Sequence, residues 1–436
     1  MSDGRSALVT GSSLLTNRIA ARLILVCVVA WTFAGCQESA DTATVVRFWA
    51  MGREGEVVRE LIPDFERAHP NVRVEVQQLP WTAAHQKLLT AFAGDALPDV
   101  AQLGNTWLPE FVALRAVDPV DPSVVDVDDY FAGIWQTNVL DQTAYGVPWY
   151  IDTRLLFYRR DLLAAAGYAA PPTTWEEWVE MLRALEQRAA PHSYGVLLPL
   201  NEYEPLLALA AQQEAPLLRD GDTRGNFRSD GFKRALRFYL DMFEDGFAPA
   251  TGAHQIANTW DEFARGHFTF YITGPWNIGE FKRRLPASLQ ASWMTAPLPG
   301  ANGPGYSTAG GASLVVFSGS PRKKEAWQLV QYLSRPDVQL RFHAMTGNLP
   351  PRRSAWNDER LQADVYARAF REQLERVKPA PMVPEWERIA SEMQLVAERM
   401  VQGRRMTIEE AAAEIDRRAD RILEKRRWLL ARKEQP

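Results

Sequence analysis

Two cysteines in 436 residues, Cys27 and Cys36, leave no material for a disulfide framework or a thiolate metal site. The six histidines, at 69, 85, 192, 254, 267 and 343, show no metal-ligand spacing. No phosphate-cradling G-x-x-x-x-G-K-[ST] loop, no G-x-S-x-G and no H-E-x-x-H occurs. Beyond the first 35 residues no apolar run approaches the ~20 residues of a membrane helix. A formal charge of −5 argues against nucleic acid as a partner. The lack of a catalytic motif weighs toward binding, although glycosidase carboxylates carry no local motif.

What is present begins with Arg18 and Arg22, ahead of the apolar run LILVCVVAWTFA at 23–34 and then Gly35-Cys36. A basic region, a short apolar core and small residues describe a secretory signal covering 1–35. Its removal takes Asp3, Arg5, Arg18 and Arg22, leaving 401 residues with a charge near −7. Single cores rarely grow past ~250–300 residues, so two lobes are expected.

Strands are expected at 45–49, 72–76 (V-R-V-E-V) and 99–103, alternating with helices at 56–69 and 83–92. That is a doubly wound α/β pattern, whose ligands sit outside the carboxyl ends of the strands. Three loops then face a cleft and present Trp49, Glu56, Trp81, His85, Asn105 and Trp107. The central stretch is 145–167, YGVPWYIDTRLLFYRRDLLAAAG: a turn, an apolar strand and a short helix capped by Asp161 and stopped at Gly167. It supplies Trp149, Tyr150 and Asp152. Aromatic faces pack on the C–H face of a pyranose and a carboxylate accepts from paired hydroxyls.

Farther on, Thr174 and Glu177 form a capping box opening a helix to about 188, with Trp175 and Trp178 as packing residues. The loop after a strand at 194–198 offers Tyr203 and Glu204. A helix ending at Gly266, a strand at 267–272 and a Gly274-Pro275 turn present Trp276 and Asn277, with Gly274 letting a ligand come close. Gly310 and Gly311 precede a strand at 312–317. Residues 361–428 read as charged helices, with a second capping box at Thr407 and Glu410, and with Ile422 and 428–430 packed inward.

Several of these segments, in this order, resemble the extracellular solute-binding proteins of ABC transporters, nearest to the maltose and trehalose type. The Y-G-x-P stretch at Tyr145 with its following Y-R-R-D-L is one; Leu97-Pro98-Asp99-Val100 and the 263–276 segment ending in Trp276 are others. Thr346–Arg353, with Arg352 or Arg353 as a ligand contact, is similar to that family's G-x-x-P-x-R. Ala34-Gly35-Cys36 resembles a lipobox, with Cys36 acylated. Two departures stand out: Gly104-Asn105 where some disaccharide binders have an Asp, and Ala312 where an aromatic often follows the Gly pair. The resemblance implies an α/β, two-lobed periplasmic-binding-protein fold, each lobe a sheet flanked by helices. The expected lobes are 36–153 with 308–355, and 154–307 with 356–436.

It also implies a sugar ligand, no cofactor, no metal and no catalysis, a permease with a cytoplasmic ATPase as partner, and a periplasmic, monomeric, lipid-anchored protein. Other readings stay open. The same fold binding glycerol-phosphate or another small solute would use Arg53, Lys87 or Arg352, and a glycoside hydrolase would pair Asp152 with Glu204 or Glu56.

Overall fold

The computed structural model describes residues 43–188, 193–252, 258–403 and 406–433; the signal segment, Cys36, His192 and His254 lie outside them. The packed unit that carries the site is Val45–Pro436. Strand β1 (Thr44–Met51) is followed by three short helical pieces, Gly52–Val57, Val58–Glu60 and Ile62–Ala68, where one helix over 56–69 was expected. Pro63 stands in the first turn of the third piece, a place where its missing N–H costs nothing. Then come β2 (Val72–Leu79), α1 (Trp81–Ala93), β3 (Val100–Gly104), β4 (Val147–Asp152) and β5 (Leu155–Arg159). The chain continues through α2 (Trp175–Glu186), β6 (Tyr194–Leu197), α3 (Glu204–Ala211), β7 (Phe268–Thr273), α4 (Trp276–Arg284) and β8 (Trp293–Ala296). It closes with β9 (Ser307–Val316), β10 (Val377–Pro379), α5 (Trp386–Val401), α6 (Ile408–Ile422) and α7 (Glu424–Lys433).

Two sheets result. The first has the order β10-β9-β3-β1-β2, with β4 also paired to β9. Within it β1 and β3 are parallel, with Phe48 opposite Val100, while β9 runs antiparallel to both β3 and β4. The second has the order β8-β5-β7-β6. Only Thr153 and Arg154 separate β4 in one sheet from β5 in the other, so the chain passes between the sheets there. Phe48, Phe65, Trp149 and Leu314 are buried under the first sheet; Trp178, Leu182, Phe232 and Trp386 pack on one side of the second, and Phe157, Phe281 and Trp293 on the other.

Both capping boxes form, Thr174 with Glu177 and Thr407 with Glu410. Trp178 is buried and Trp175 stacks on Phe238 at 4.1 Å, so both are packing residues. Asp161 does not cap its helix. Its carboxylate instead accepts two bonds from Arg159, at 2.8 and 2.7 Å, and the N-cap position falls to Arg159. The tail also departs from expectation. Trp428 is 54% and Leu429 45% exposed, because α7 is held by Arg426 and Arg427 donating to the carbonyls of Asp222 and Thr223, not by its apolar side chains. No helix among the described residues is long and apolar enough to cross a membrane.

Candidate functional site

A cavity of about 570 Å³ lies between the two sheets' loop ends, within the ~300–1,000 Å³ usual for small-molecule sites. The loops after β1, β2 and β3 contribute Glu54, Trp81 and the run Gly104–Trp107, at the carboxyl ends of strands as expected. From the other side come Tyr203 and Glu204 at the start of α3, Trp276 at the start of α4 and Glu387 in the first turn of α5. The floor is the β4–β9 crossing: Tyr150 and Asp152 on one strand, with Arg154 just past its end, and Gly310 and Gly311 on the other.

Ten of the sixteen residues singled out from the sequence line this cavity: Trp81, Asn105, Trp107, Tyr150, Asp152, Tyr203, Glu204, Trp276, Gly310 and Gly311. Six do not, each for a local reason. Side chains alternate across a strand, so Tyr150 and Asp152 face the cavity while Trp149 is fully buried and stacks on Phe342 at 4.5 Å. A helix turns ~100° per residue, so two positions along Glu54 enters the cavity and Glu56 points to solvent. Trp49 lies under Lys87, whose ammonium stands 5.0 Å from its ring. Asn277 is buried, accepting from the Trp260 indole at 2.9 Å and donating to Thr273 at 2.7 Å. Arg352 is paired with Asp129, and Arg353 with Glu375, so neither reaches the cavity. His85 bonds Glu110 at 2.8 Å and stacks on Trp107 at 4.9 Å, outside the main cavity. Asn105 lines the wall, but its amide is spent inside the protein, donating to Thr137 at 2.7 Å and accepting from Ser313 at 3.0 Å.

The residue the sequence reading passed over is Arg154. It sits two positions past Asp152 with a side chain only 9% exposed. Its guanidinium bonds Asp152 and, at 3.2 Å, Glu204, and stands 4.7 Å from the centroid of the Trp276 ring. Burial opposes its charge, but Asp152, Glu204 and Glu202 outweigh that and hold it cationic. It is the only cationic side chain among the cavity's described lining residues, against the carboxylates of Glu54, Asp152, Glu204 and Glu387. Burial, with the nearby charges of Glu54 and Asp152, raises the Tyr150 hydroxyl; burial with Glu387 and Glu204 raises that of Tyr203. Both therefore stay neutral hydrogen-bond donors. Asn348 donates to Glu54 at 2.7 Å.

Trp276 owes its position to Gly274. A Cβ there would stand 1.8 Å from the Trp276 ring, so the glycine makes room for the tryptophan and not, as expected, for a ligand.

Glu202, in the loop before α3, has its carboxyl pushed up to about 7 by burial, with Arg154 opposing and Glu204 and Asp152 adding to the rise. Between about 4.5 and 7 the folded protein keeps a proton that the unfolded chain releases, so stability falls as pH rises through that window. Glu202→Gln removes this penalty. Thermal melts should show the variant more stable by about 2 kcal/mol at pH 8 and level with the parent below pH ~4.5. An equal gain at both pH values would mean that packing, not charge, is responsible.

Glycerol-phosphate is disfavoured by the same geometry. Arg53 donates to the carbonyl of Met345, while Lys87 and Arg352 are engaged as described. Of the hydrolase pairings, Glu56 points to solvent, while Asp152 and Glu204 both bond the guanidinium of Arg154. Among the described residues no cluster of three or more His, Cys, Asp or Glu is placed to hold a metal.

The family described as bacterial extracellular solute-binding protein matches residues 51–340. The sugar-binding protein MalE of Xanthomonas citri, a solved structure, is 54% identical, with a TM-score of 0.86 covering 90% of this chain and 100% of that one. A putative binding protein of Brucella abortus is 26% identical over 354 residues, 78% of this chain and 83% of its own. The diacetylchitobiose binding protein DasA of Streptomyces coelicolor is 24% identical over 339 residues, 75% of this chain and 77% of its own.

Proposed function

We propose that this chain, which belongs to the bacterial extracellular solute-binding protein family, captures a sugar for an ABC importer. The observation that carries the reading is the make-up of the cavity. Trp81 and Trp107 from one sheet's loops and Tyr203 and Trp276 from the other's enclose four carboxylates and two tyrosine hydroxyls. Aromatic faces with convergent acceptors and donors suit a neutral polyhydroxylated ring. The similarity to MalE and DasA, named as binders of sugar and of diacetylchitobiose, supports the same ligand class. A di- or oligosaccharide fits the volume.

In this reading the lobes are 36–153 with 308–355, and 154–307 with 356–436; the separation of β1–β4 from β5–β8 into two sheets supports the break near 153, while β10 (Val377–Pro379) pairs with β9 in the first sheet. A ligand touching both lobes shifts an open–closed equilibrium by its differential affinity, and the closed form presents itself to the permease and its ATPase. Lipidation at Cys36 would keep a monomer at the membrane surface outside the cytoplasm. The ligand-contacting set is the ten residues above with Glu54, Arg154, Asn348 and Glu387 added.

Calorimetric titration against trehalose, maltose, sucrose, glucose and a glycerol-phosphodiester, with tryptophan fluorescence in parallel, tests this. One sugar should saturate at micromolar concentration, ~−8 kcal/mol. Trp276→Ala should weaken it about thirtyfold. Binding of the phosphodiester alone, or turnover of a sugar in the cell, would replace the reading.

A further inference from the structure

We propose that Glu387 sets the length of the saccharide this protein accepts, by walling off a second cavity into which the bound chain would otherwise extend. The inference rests on the sugar-capture reading above.

Glu387 lines both the main cavity of about 570 Å³ and a neighbouring one of about 440 Å³. It is therefore the partition between them. Its backbone is fixed, because the preceding residue Trp386 is fully buried at the start of α5. Its carboxylate is fixed as well. It accepts a hydrogen bond from the Thr106 hydroxyl, which arrives from the loop after β3, and stands 3.5 Å from the Tyr203 hydroxyl. A carboxylate tied to hydroxyls on two sides is a firm wall. A sugar unit pushing past must separate it from both, breaking half-buried hydrogen bonds that the sugar would have to replace.

The space behind that wall is suited to more of the same kind of ligand. His85 comes from the first lobe, and Arg388, Ser391 and Arg421 from α5 and α6. Arg418 is already committed to Glu392 and Glu414, but among the described residues the exposed side chains of Arg388 and Arg421 make no hydrogen bond or ion pair. Guanidinium donors are what sugar hydroxyls need, and Ser391, which donates to the Glu387 carbonyl at 2.8 Å, keeps a hydroxyl oxygen that can accept. The second cavity thus has the chemistry of a further subsite and lacks only a way in from the first.

The test is a comparison of ligand lengths. The protein, Glu387→Ala, Glu387→Ser and Glu387→Gln are titrated with maltose against maltotriose and with trehalose against glucosyl-trehalose. The parent should prefer the disaccharide of one pair at least tenfold over its trisaccharide. Glu387→Ala and Glu387→Ser should bring that ratio to within about threefold, whereas Glu387→Gln, which keeps the side-chain volume and its acceptor oxygen, should hold it. Two truncating variants guard against one failing to fold, and melts check both. A uniform loss of affinity for short and long sugars, with the ratio unchanged, would mean that the residue only ties the lobes together, and the proposal falls. So too if the parent already binds a trisaccharide as tightly as its disaccharide. Failure of the parent to bind any of the four would overturn this inference, while binding of the phosphodiester alone in the panel above would overturn the sugar reading beneath it.

Discussion

Replacing Arg154 by alanine is expected to cost about 3 kcal/mol of stability at pH 7 and to abolish ligand binding. The side chain is 9% exposed and is the shared partner of Asp152 and Glu204, with the Glu202 charge also in reach. Removing one member of a buried ion pair costs ~3–5 kcal/mol because the remaining charges are left uncompensated. The lower end applies here, since Asp152 and Glu204 are each about a third exposed and water screens them in part. Glu202, whose carboxyl is pushed up to about 7, becomes neutral as pH falls and then needs no counter-charge, so the deficit should shrink toward pH 4.5. Arg154→Lys keeps the charge but not the forked geometry that reaches two carboxylates at once, and should fall between. Binding fails for a second reason: the guanidinium stands 4.7 Å from the Trp276 ring, and its loss frees the tryptophan to leave the wall. Denaturant titrations at pH 7 and pH 4.5 read the effect. A loss below 1 kcal/mol at pH 7, or one independent of pH, would show that the three acids do not depend on Arg154.

The second large effect is expected at Gly311. Its φ is +133°, a region that side-chain-bearing residues rarely enter, and a Cβ there would lie 2.2 Å from the Tyr150 carbonyl oxygen and 3.1 Å from the Asp152 nitrogen. Those atoms are the backbone of the strand paired with β9, so no rotamer change relieves the overlap. Gly311→Ala should destabilise by at least ~3 kcal/mol. It should also distort the cavity floor, because Gly311 lines it and its carbonyl accepts from the Asn105 amide at 3.2 Å. Gly319→Ala is the control: nothing lies within 4 Å of a Cβ there, and the change should be within ~0.5 kcal/mol. Equal midpoints for the two variants in denaturant would contradict the strain argument.

How far the sequence discloses such a site can be judged from particular residues. The strands of the first lobe were legible because V-R-V-E-V and its neighbours alternate, and the helices at Thr174 and Thr407 because a capping box is local. The region around 145–154 was legible as a cleft wall, yet Trp149 was assigned to the wrong face. Five of the six residues of β4 are apolar or aromatic, and only Asp152 at its end marks the cavity face, so alternation gives a weak sign of which face is inward. Glu54 and Glu56 pose the same problem on a helix, where the register depends on a start at Gly52 that the pattern does not mark. Arg154 could have been found by the rule that places Asp152 and the residue two further on together. Glu387 and Asn348 could not: Glu387 meets Thr106 across 281 positions and Asn348 meets Glu54 across 294. Periodicity is silent about contacts of that span.

The placement of β9 bears on how the chain reaches this state at all. In the first sheet β9 lies between β3 and β10 and is also the strand that β4 pairs with, so Ala312 meets Gly104 across a separation of 208 residues. Until residue 316 has been synthesised, the first lobe has only β1, β2 and β3 to work with, and β4 has no neighbour. Loop closure over such distances is slow, and folding rates fall as contacts become more remote in sequence. The nascent chain therefore cannot complete its first lobe until most of it has been made. The strand that completes the first sheet is thus among the last parts of that sheet to be made, and the early strands stay open to other company until it arrives.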